Sequence, residues 1–472
     1  MQFDSDYTMT IGGRGFEAEA TIDVINPANG AVIATAPRAS KAQLDEAVAG
    51  AARAFPSWSA AGVEARRDAV RRLGSKLVEN ADALARLLTS EQGKPLADAR
   101  AEILGAAYWC ETLATVDMPV VVVEDSRDRK VETRRVPLGV AAAIVPWNYP
   151  ISIAFLKIPA ALLTGNCVVV KPSPYTPLTT LKIGELSRDL FPAGVLSVLS
   201  GGDELGPWIT EHPGFAKISF TGSSATGRRV VQSASHTLKR VTLELGGNDA
   251  AIVLADVNVH AVAEKIFWSA FTNAGQVCMA TKRLYVHESV YDELAFALAE
   301  YAKTVKVGDG FEPETKIGPI QNRAQYDRVC RLIHDIAERG ERVLIGGNVV
   351  PGAGYFVPVT IVDNPPEESP VVQEEAFGPV LPMLKFSDLD DVIAKVNASP
   401  YGLAGSVWSS DADAAALIAS RIHSGTVWIN DWLYITPFTP FGGRKQSGYG
   451  VECGLEGLLE YTGTQTVAIN RS

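Results

Sequence analysis

From residue 138 onward, continuous apolar runs recur at 140–145, 167–170, 195–199 and 218–220, separated by segments of helical length. A strand apolar on both faces must be covered on both, and a parallel sheet clothed in helices does this. A second series follows at 241–245, 251–254, 283–286 and 343–345, with helical patterns over 290–307 and 324–339 between its members. Two α/β units in tandem are the simplest account, and a cleft between them is the natural place for a site. A chain of 472 residues exceeds what one hydrophobic core serves, which agrees with more than one unit.

The segment before this series reads differently. Ser40-Lys41-Ala42-Gln43 has the form of a capping box, opening a helix with Leu44, Val48, Ala51, Ala52 and Phe55 on its apolar face. Amphipathic patterns follow over 63–87 and 96–113, so the first hundred residues are expected to be mainly helical. Residues 118–136 place an apolar strand, a charged turn and an alternating strand in succession, a long hairpin able to project from the body. The closing segment 464–469 is strand-like and suited to join it.

Composition removes several function classes. No apolar run approaches the roughly 18 to 20 residues needed to span a bilayer. The opening Met1 to Asp6 has neither a basic stretch nor an apolar one, so the cytoplasm is the expected location. A formal net charge of -11 repels nucleic acid and anionic lipid, so neither is an expected partner. The five cysteines, Cys110, Cys167, Cys278, Cys330 and Cys453, are far apart and never in a CxxC pair. That leaves free thiols rather than disulfides or a metal site. Cys167 reads as a buried structural thiol, and Cys110 and Cys330 as passengers on helices.

Four motifs carry candidate chemistry. In Asn273-Ala274-Gly275-Gln276-Val277-Cys278, small residues before a cysteine let a ligand approach the backbone. A helix beginning there would favour a thiolate through its N–H groups. The plainer reading is a packed thiol. Glu244 ends an apolar strand at the Gly246-Gly247 turn, where desolvation could raise its pKa and suit it to general-base work; capping the next helix or pairing with a surface lysine is the commoner fate of such a glutamate. Asn148 lies between Pro146 and Pro150, and its amide could donate to an oxyanion or simply make an Asx turn. Residues 218–227, ISFTGSSATG, put a glycine-bearing turn between strand and helix, which suits a pyrophosphate although the spacing is not G-x-G-x-x-G. Lys171, ending an apolar strand, could reach a ribose or be merely solvated.

The joint order is far more specific than any one motif: PWNYP, VVVKPSP, SFTGSSATG, LELGGN, GQVC, EEAFGPV and PFGGRKQSG, running through nearly the whole chain. In this order the chain resembles the aldehyde dehydrogenase superfamily. The resemblance implies a Rossmann-like cofactor domain (1–117 and 138–246), an α/β catalytic domain (247–440) and a small β oligomerisation arm (118–137 and 459–472). It also implies Cys278 as nucleophile, Glu244 as the base that activates water, and Asn148 with the Cys278 N–H as oxyanion hole. Gly222 and Ser223 would lie at a pyrophosphate, with Lys171 and Ser173 at the adenosine ribose. Ile144, Pro146, Trp147 and Leu245 would run along the dinucleotide, and Glu375 and Phe377 would hold the nicotinamide ribose. Thiolate attack, hydride loss and hydrolysis of a thioester are the implied sequence.

NAD-preferring relatives commonly carry a glutamate three residues after the lysine; here Pro174 stands there, which leaves NAD and NADP both open. By motif position Tyr149, Ile153, Leu156, Thr272, Val277, Met279 and Ile435 are candidates for the aldehyde pocket. Most are apolar, and Leu156 stands where semialdehyde-oxidising relatives often have an arginine. A hydrophobic aliphatic or aromatic aldehyde is therefore the expected substrate. Weighed against it are a carboxylated semialdehyde, an acylating enzyme that passes the thioester to coenzyme A, and a catalytically silent binding protein. No metal is expected. The hairpin and terminal strand would expose sheet edges if left alone, so a homodimer or homotetramer is expected.

Overall fold

A computed structural model describes residues 6–472, so the opening residues 1–5 lie outside it. Both expected α/β units are present as two separate sheets. In the first, five parallel strands run in the order Leu196–Val198, Cys167–Lys171, Val140–Ile144, Lys217–Thr221 and Arg240–Glu244, with short antiparallel strands at the edges. The run at 241–245 thus belongs to the first sheet rather than the second series, because it pairs in parallel with Lys217–Thr221.

The second sheet has seven strands, ordered Val343–Ile345, Thr360–Asp363, Val380–Phe386, Thr281–His287, Asp249–Val253, Ala404–Trp408 and Thr426–Ile429. All but the first pair in parallel. Every residue of Val140–Ile144, Cys167–Lys171 and Asp249–Val253 is buried, as doubly covered strands require. Each sheet has its own apolar core. One draws on residues from Met9 to Leu245 with Leu458 and Tyr461, the other on residues from Ala250 to Ile422.

The capping box forms, with the Ser40 side chain accepting from the Gln43 N–H at the head of the helix Lys41–Ala60. Leu44, Val48 and Ala51 face inward, whereas Ala52 is exposed. The pattern at 63–87 is two helices, Val63–Glu79 and Ala81–Gln92, because Asn80 breaks it with its amide bonded back to the Lys76 carbonyl. Leu96–Leu113 follows as one helix. The strands Val121–Asp125 and Arg129–Pro137 make the hairpin, and Thr462–Asn470 pairs along the second of them over nine residues. Val121–Asp125 is exposed throughout. Among the described residues no helix is long and apolar enough to cross a membrane, and no cluster of His, Cys, Asp and Glu could hold a metal.

Candidate active site

The C-terminal ends of the first sheet's strands form one edge. Ile144 is in register with Lys171 and with Phe220, and Thr221 with Glu244. Ligands of open parallel sheets bind outside such an edge. Facing it is the loop that leads into Thr281–His287. There Asn273, Ala274 and Gly275 all have positive φ (52°, 57° and 70°), a succession unusual for residues with a Cβ. A Cβ on Gly275 would come within 2.2 Å of the Gly378 carbonyl. This glycine therefore serves close packing rather than ligand approach. No helix begins at Cys278, which sits in the turn closed by Ala280 N–H to the Val277 carbonyl (3.2 Å). A helix dipole is not what acts on this thiol.

Two cavities meet at Cys278. The larger, about 390 Å³, is walled by Trp109, Tyr149, Ile153, Leu156, Met279 and Ile435, with Val277, Glu244 and Glu452 also lining it. The smaller, about 190 Å³, is lined by Pro146, Trp147, Gly222, Ser223, Leu245, Glu375 and Phe377. Asn148, Ile153, Thr221 and Cys278 line both. A larger open groove of about 880 Å³ beside Glu17, Arg38 and Trp208 holds no thiol and no orphaned polar atom.

Of the residues expected at the site, Thr272, Ile144, Lys171 and Ser173 line neither cavity. Thr272 turns its hydroxyl back to the Trp268 carbonyl (2.7 Å). Lys171 is buried rather than solvated. Burial lowers its pKa to about 8, opposed by the nearby Asp203 and Glu204 carboxylates. Ser173, also buried, accepts from the Tyr175 N–H (3.3 Å). Unanticipated neighbours are Thr221, Glu452, Gln325, Arg328 and the wall of the helix Leu96–Leu113, including Gly105 and Trp109. Phe441 lies within the PFGG motif and was legible as part of it; Glu452 had no local signal.

Asn148 does not make an Asx turn. Its Nδ2 donates to the Gln276 carbonyl (2.9 Å), and its own carbonyl accepts from Lys94 Nζ (3.2 Å) and Asn273 Nδ2 (3.0 Å). Lys94 is paired with buried Glu102, whose other oxygen accepts from the Ile151 and Ser152 N–H groups at the start of the helix Pro150–Leu163. One buried ion pair thus fixes both the loop and the helix behind it.

Three buried oxygens without a protein partner line the larger cavity: Thr221 Oγ1, Glu244 Oε1 and Glu452 Oε2. Orphaned polar atoms of this kind are suited to a water molecule. Burial pushes the Glu244 carboxyl well above its ordinary value, and the Glu452 carboxylate adds to the effect against the Lys157 ammonium. Burial likewise pushes the Cys278 thiol up to about 12; Lys282 opposes this, while Glu244, Glu375 and Asp249 add to it.

The lining of the smaller cavity, about 190 Å³, suits part of a dinucleotide, its phosphate and nicotinamide-ribose end. Ser223 caps the helix Ser224–Ser235 by accepting from the Thr226 N–H (3.3 Å), leaving a helix N-terminus beside the crevice. A Cβ on Gly246 would meet Glu375 Oε2 at 2.4 Å, so a side chain there would displace the Glu375 carboxylate. Glu375 Oε1 accepts from the Gly247 N–H (3.0 Å), and Phe377 meets Trp147 edge to face at 5.4 Å.

The profile described as "Aldehyde dehydrogenase family" matches residues 16–467. The chain is 47% identical to a protein described as "Probable aldehyde dehydrogenase" from Pseudomonas sp, over 100% of this chain and 96% of that one. It is 38% identical to a phenylacetaldehyde dehydrogenase from Pseudomonas fluorescens, over 98% and 96% of the two chains. It superposes with a TM-score of 0.96 on an NAD+ complex of an aldehyde dehydrogenase from Bacillus cereus, at 34% identity, covering 99% of this chain and 97% of the other.

Proposed function

The chain belongs to the aldehyde dehydrogenase family, and on that premise we propose that it oxidises a hydrophobic aliphatic or aromatic aldehyde to the carboxylic acid by the hydrolytic route. The cofactor is NAD or NADP, its nicotinamide end in the smaller cavity. The observation that carries the reading is that Cys278 lines both cavities at once, with Asn148 and Thr221 beside it.

The Cys278 thiol gives up its proton to solvent water, and its Sγ, as thiolate, attacks the carbonyl carbon from the larger cavity, forming the C–S bond. The resulting oxyanion is held by Asn148 Nδ2 and the Cys278 N–H. When bound, the oxidised nicotinamide supplies the acceptor for the hydride lost from that carbon. Water then attacks the thioester, Glu244 takes its proton, and the acid leaves with the thiol restored. The three orphaned oxygens beside the thiol support the hydrolytic route over transfer to coenzyme A. Gly222 and Ser223 are assigned to the pyrophosphate, Lys171 and Ser173 to the ribose end, and Glu375 with Phe377 to the nicotinamide ribose.

The walls of the larger cavity support the substrate class. No lysine, arginine or histidine lines the larger cavity, and two carboxyl groups do, so a carboxylated aldehyde meets no counter-charge there. The proposed cofactor unit comprises 1–117 and 138–246, the catalytic unit 247–440, and the arm 118–137 with 459–472. We assign the exposed strand Val121–Asp125 to pairing with another copy in a homodimer or homotetramer; a monomer by light scattering contradicts this.

The test is turnover of phenylacetaldehyde with NAD and with NADP, followed at the reduced-nicotinamide band, with products analysed with and without coenzyme A. Free phenylacetic acid is expected in both cases. Acyl-CoA as main product overturns the hydrolytic reading, and faster turnover of a carboxylated semialdehyde overturns the substrate class.

A further inference from the structure

We infer that Lys282 is a positioning residue for the nucleophile: its buried ammonium holds three carbonyls of the turn that carries Cys278 and ties that turn to Glu375. This rests on Cys278 being the nucleophile. Lys282 is the second residue of the strand Thr281–His287 and only 5% exposed. Its Nζ donates to the carbonyls of Val277 (2.8 Å), Cys278 (2.6 Å) and Ala280 (3.3 Å), and stands 3.7 Å from Glu375 Oε1.

An ammonium has three N–H donors, and one short turn takes up all three. Lys94 and Lys157, two other buried lysines near the site, are each paired closely with a carboxylate, Glu102 and Glu452. Lys282 instead spends its donors on the backbone around the thiol. The turn is already closed by Ala280 N–H to the Val277 carbonyl, and burying a charge is costly, so closing the turn does not account for a lysine here.

Two consequences reach the reacting atoms. Val277 and Cys278 are joined by a trans peptide bond, so anchoring the Val277 carbonyl turns the N–H of Cys278, on the same planar unit, to the opposite side. That fixes one donor of the proposed oxyanion hole. The charges acting on Cys278 are Lys282 on one side and Glu244, Glu375 and Asp249 on the other. Lys282 is therefore the cation that offsets three acidic neighbours, and Glu375 links the turn to the cofactor crevice.

The test is the rate of Cys278 alkylation by iodoacetamide in the full chain at fixed, mildly alkaline pH, with Cys278→Ala as the blank for the other thiols. For Lys282→Met we expect alkylation to slow about three- to tenfold, since losing a nearby cation raises a thiol pKa by about one unit or more and higher intrinsic nucleophilicity returns part of the loss. Lys282→Arg keeps the charge and should stay close to wild type. In turnover, kcat falls in Lys282→Met while KM for the aldehyde holds. A turn merely loosened by lost packing exposes the thiol, so alkylation as fast as wild type or faster overturns the inference. Should Lys282→Met not fold, Lys282→Gln, which keeps a donor without the charge, takes the same test with the same expected slowing. Alkylation needs neither aldehyde nor cofactor. A wild-type protein that oxidises no aldehyde therefore sinks the functional reading separately.

Discussion

The two cavities that meet at Cys278 are built by different means. The larger is walled by side chains from distant parts of the chain: Trp109 from an early helix, Ile153 and Leu156 from the next, Met279 from the turn at Cys278 and Ile435 from a late loop. The smaller sets the strand-end turns at Gly222, Ser223 and Gly246 against side chains such as Trp147, Leu245, Glu375 and Phe377. Backbone recognition tolerates substitution and serves a constant ligand; a wall of side chains is where specificity is free to vary. Between them sits the proposed chemistry, which belongs to neither alone.

That division can be broken in graded steps. Cys278→Ala should empty both cavities of purpose at once. Aldehyde-dependent cofactor reduction is expected to drop by at least about 10⁴-fold, while cofactor binding, read by fluorescence titration, is retained. A residual rate near wild type removes the nucleophile from the account.

Glu244→Gln acts only on the hydrolytic side. Steady-state turnover should fall about 10²- to 10⁴-fold while a first-turnover burst of reduced cofactor survives in stopped flow. The pH dependence has a defined sign. Because burial and Glu452 raise the Glu244 pKa, the group is protonated over a range where ordinary carboxylates are ionised. It gains base function as pH rises, so the acidic limb of the rate profile lies above the usual carboxylate range. That limb should vanish in Glu244→Gln.

Leu156→Arg tests the side-chain wall. It should lower kcat/KM for a hydrophobic aldehyde by about 10- to 10²-fold by placing a charge in an apolar cavity. The cofactor KM should not move, and a carboxylated aldehyde should gain relative to the hydrophobic one. Ser223→Ala tests the smaller cavity and is the mildest: loss of the cap should cost about 1 kcal/mol of stability, read as a lowered Tm, with a small rise in the cofactor KM alone.

Legibility followed the same division. The parallel strands could be read because a strand buried on both faces leaves a continuous apolar run, as at 140–145 and 167–170. Thr360–Asp363, Val380–Phe386, Ala404–Trp408 and Thr426–Ile429 escaped notice, being interrupted by Pro382, Gly405 or short length. The edge of glycine and strand ends was legible because local motifs encode local backbone shape. Glu452 and Lys157, buried together beside Glu244, were not, since they lie 295 positions apart and only the fold joins them. The turn at Cys278 was read as a possible helix start; three left-handed residues in succession, imposed by packing against Gly378 and by the Asn273–Asn148 contact, leave no signature of spacing.

The central claim is a covalent bond between Cys278 and the substrate carbonyl carbon. Glu244→Gln, mixed with phenylacetaldehyde and oxidised cofactor, quenched in acid and weighed as intact protein, tests it directly. The account predicts a gain equal to the aldehyde less two hydrogens, mapped after digestion to the peptide carrying Cys278. Reduced cofactor formed with no such adduct, or an adduct on another cysteine, contradicts it.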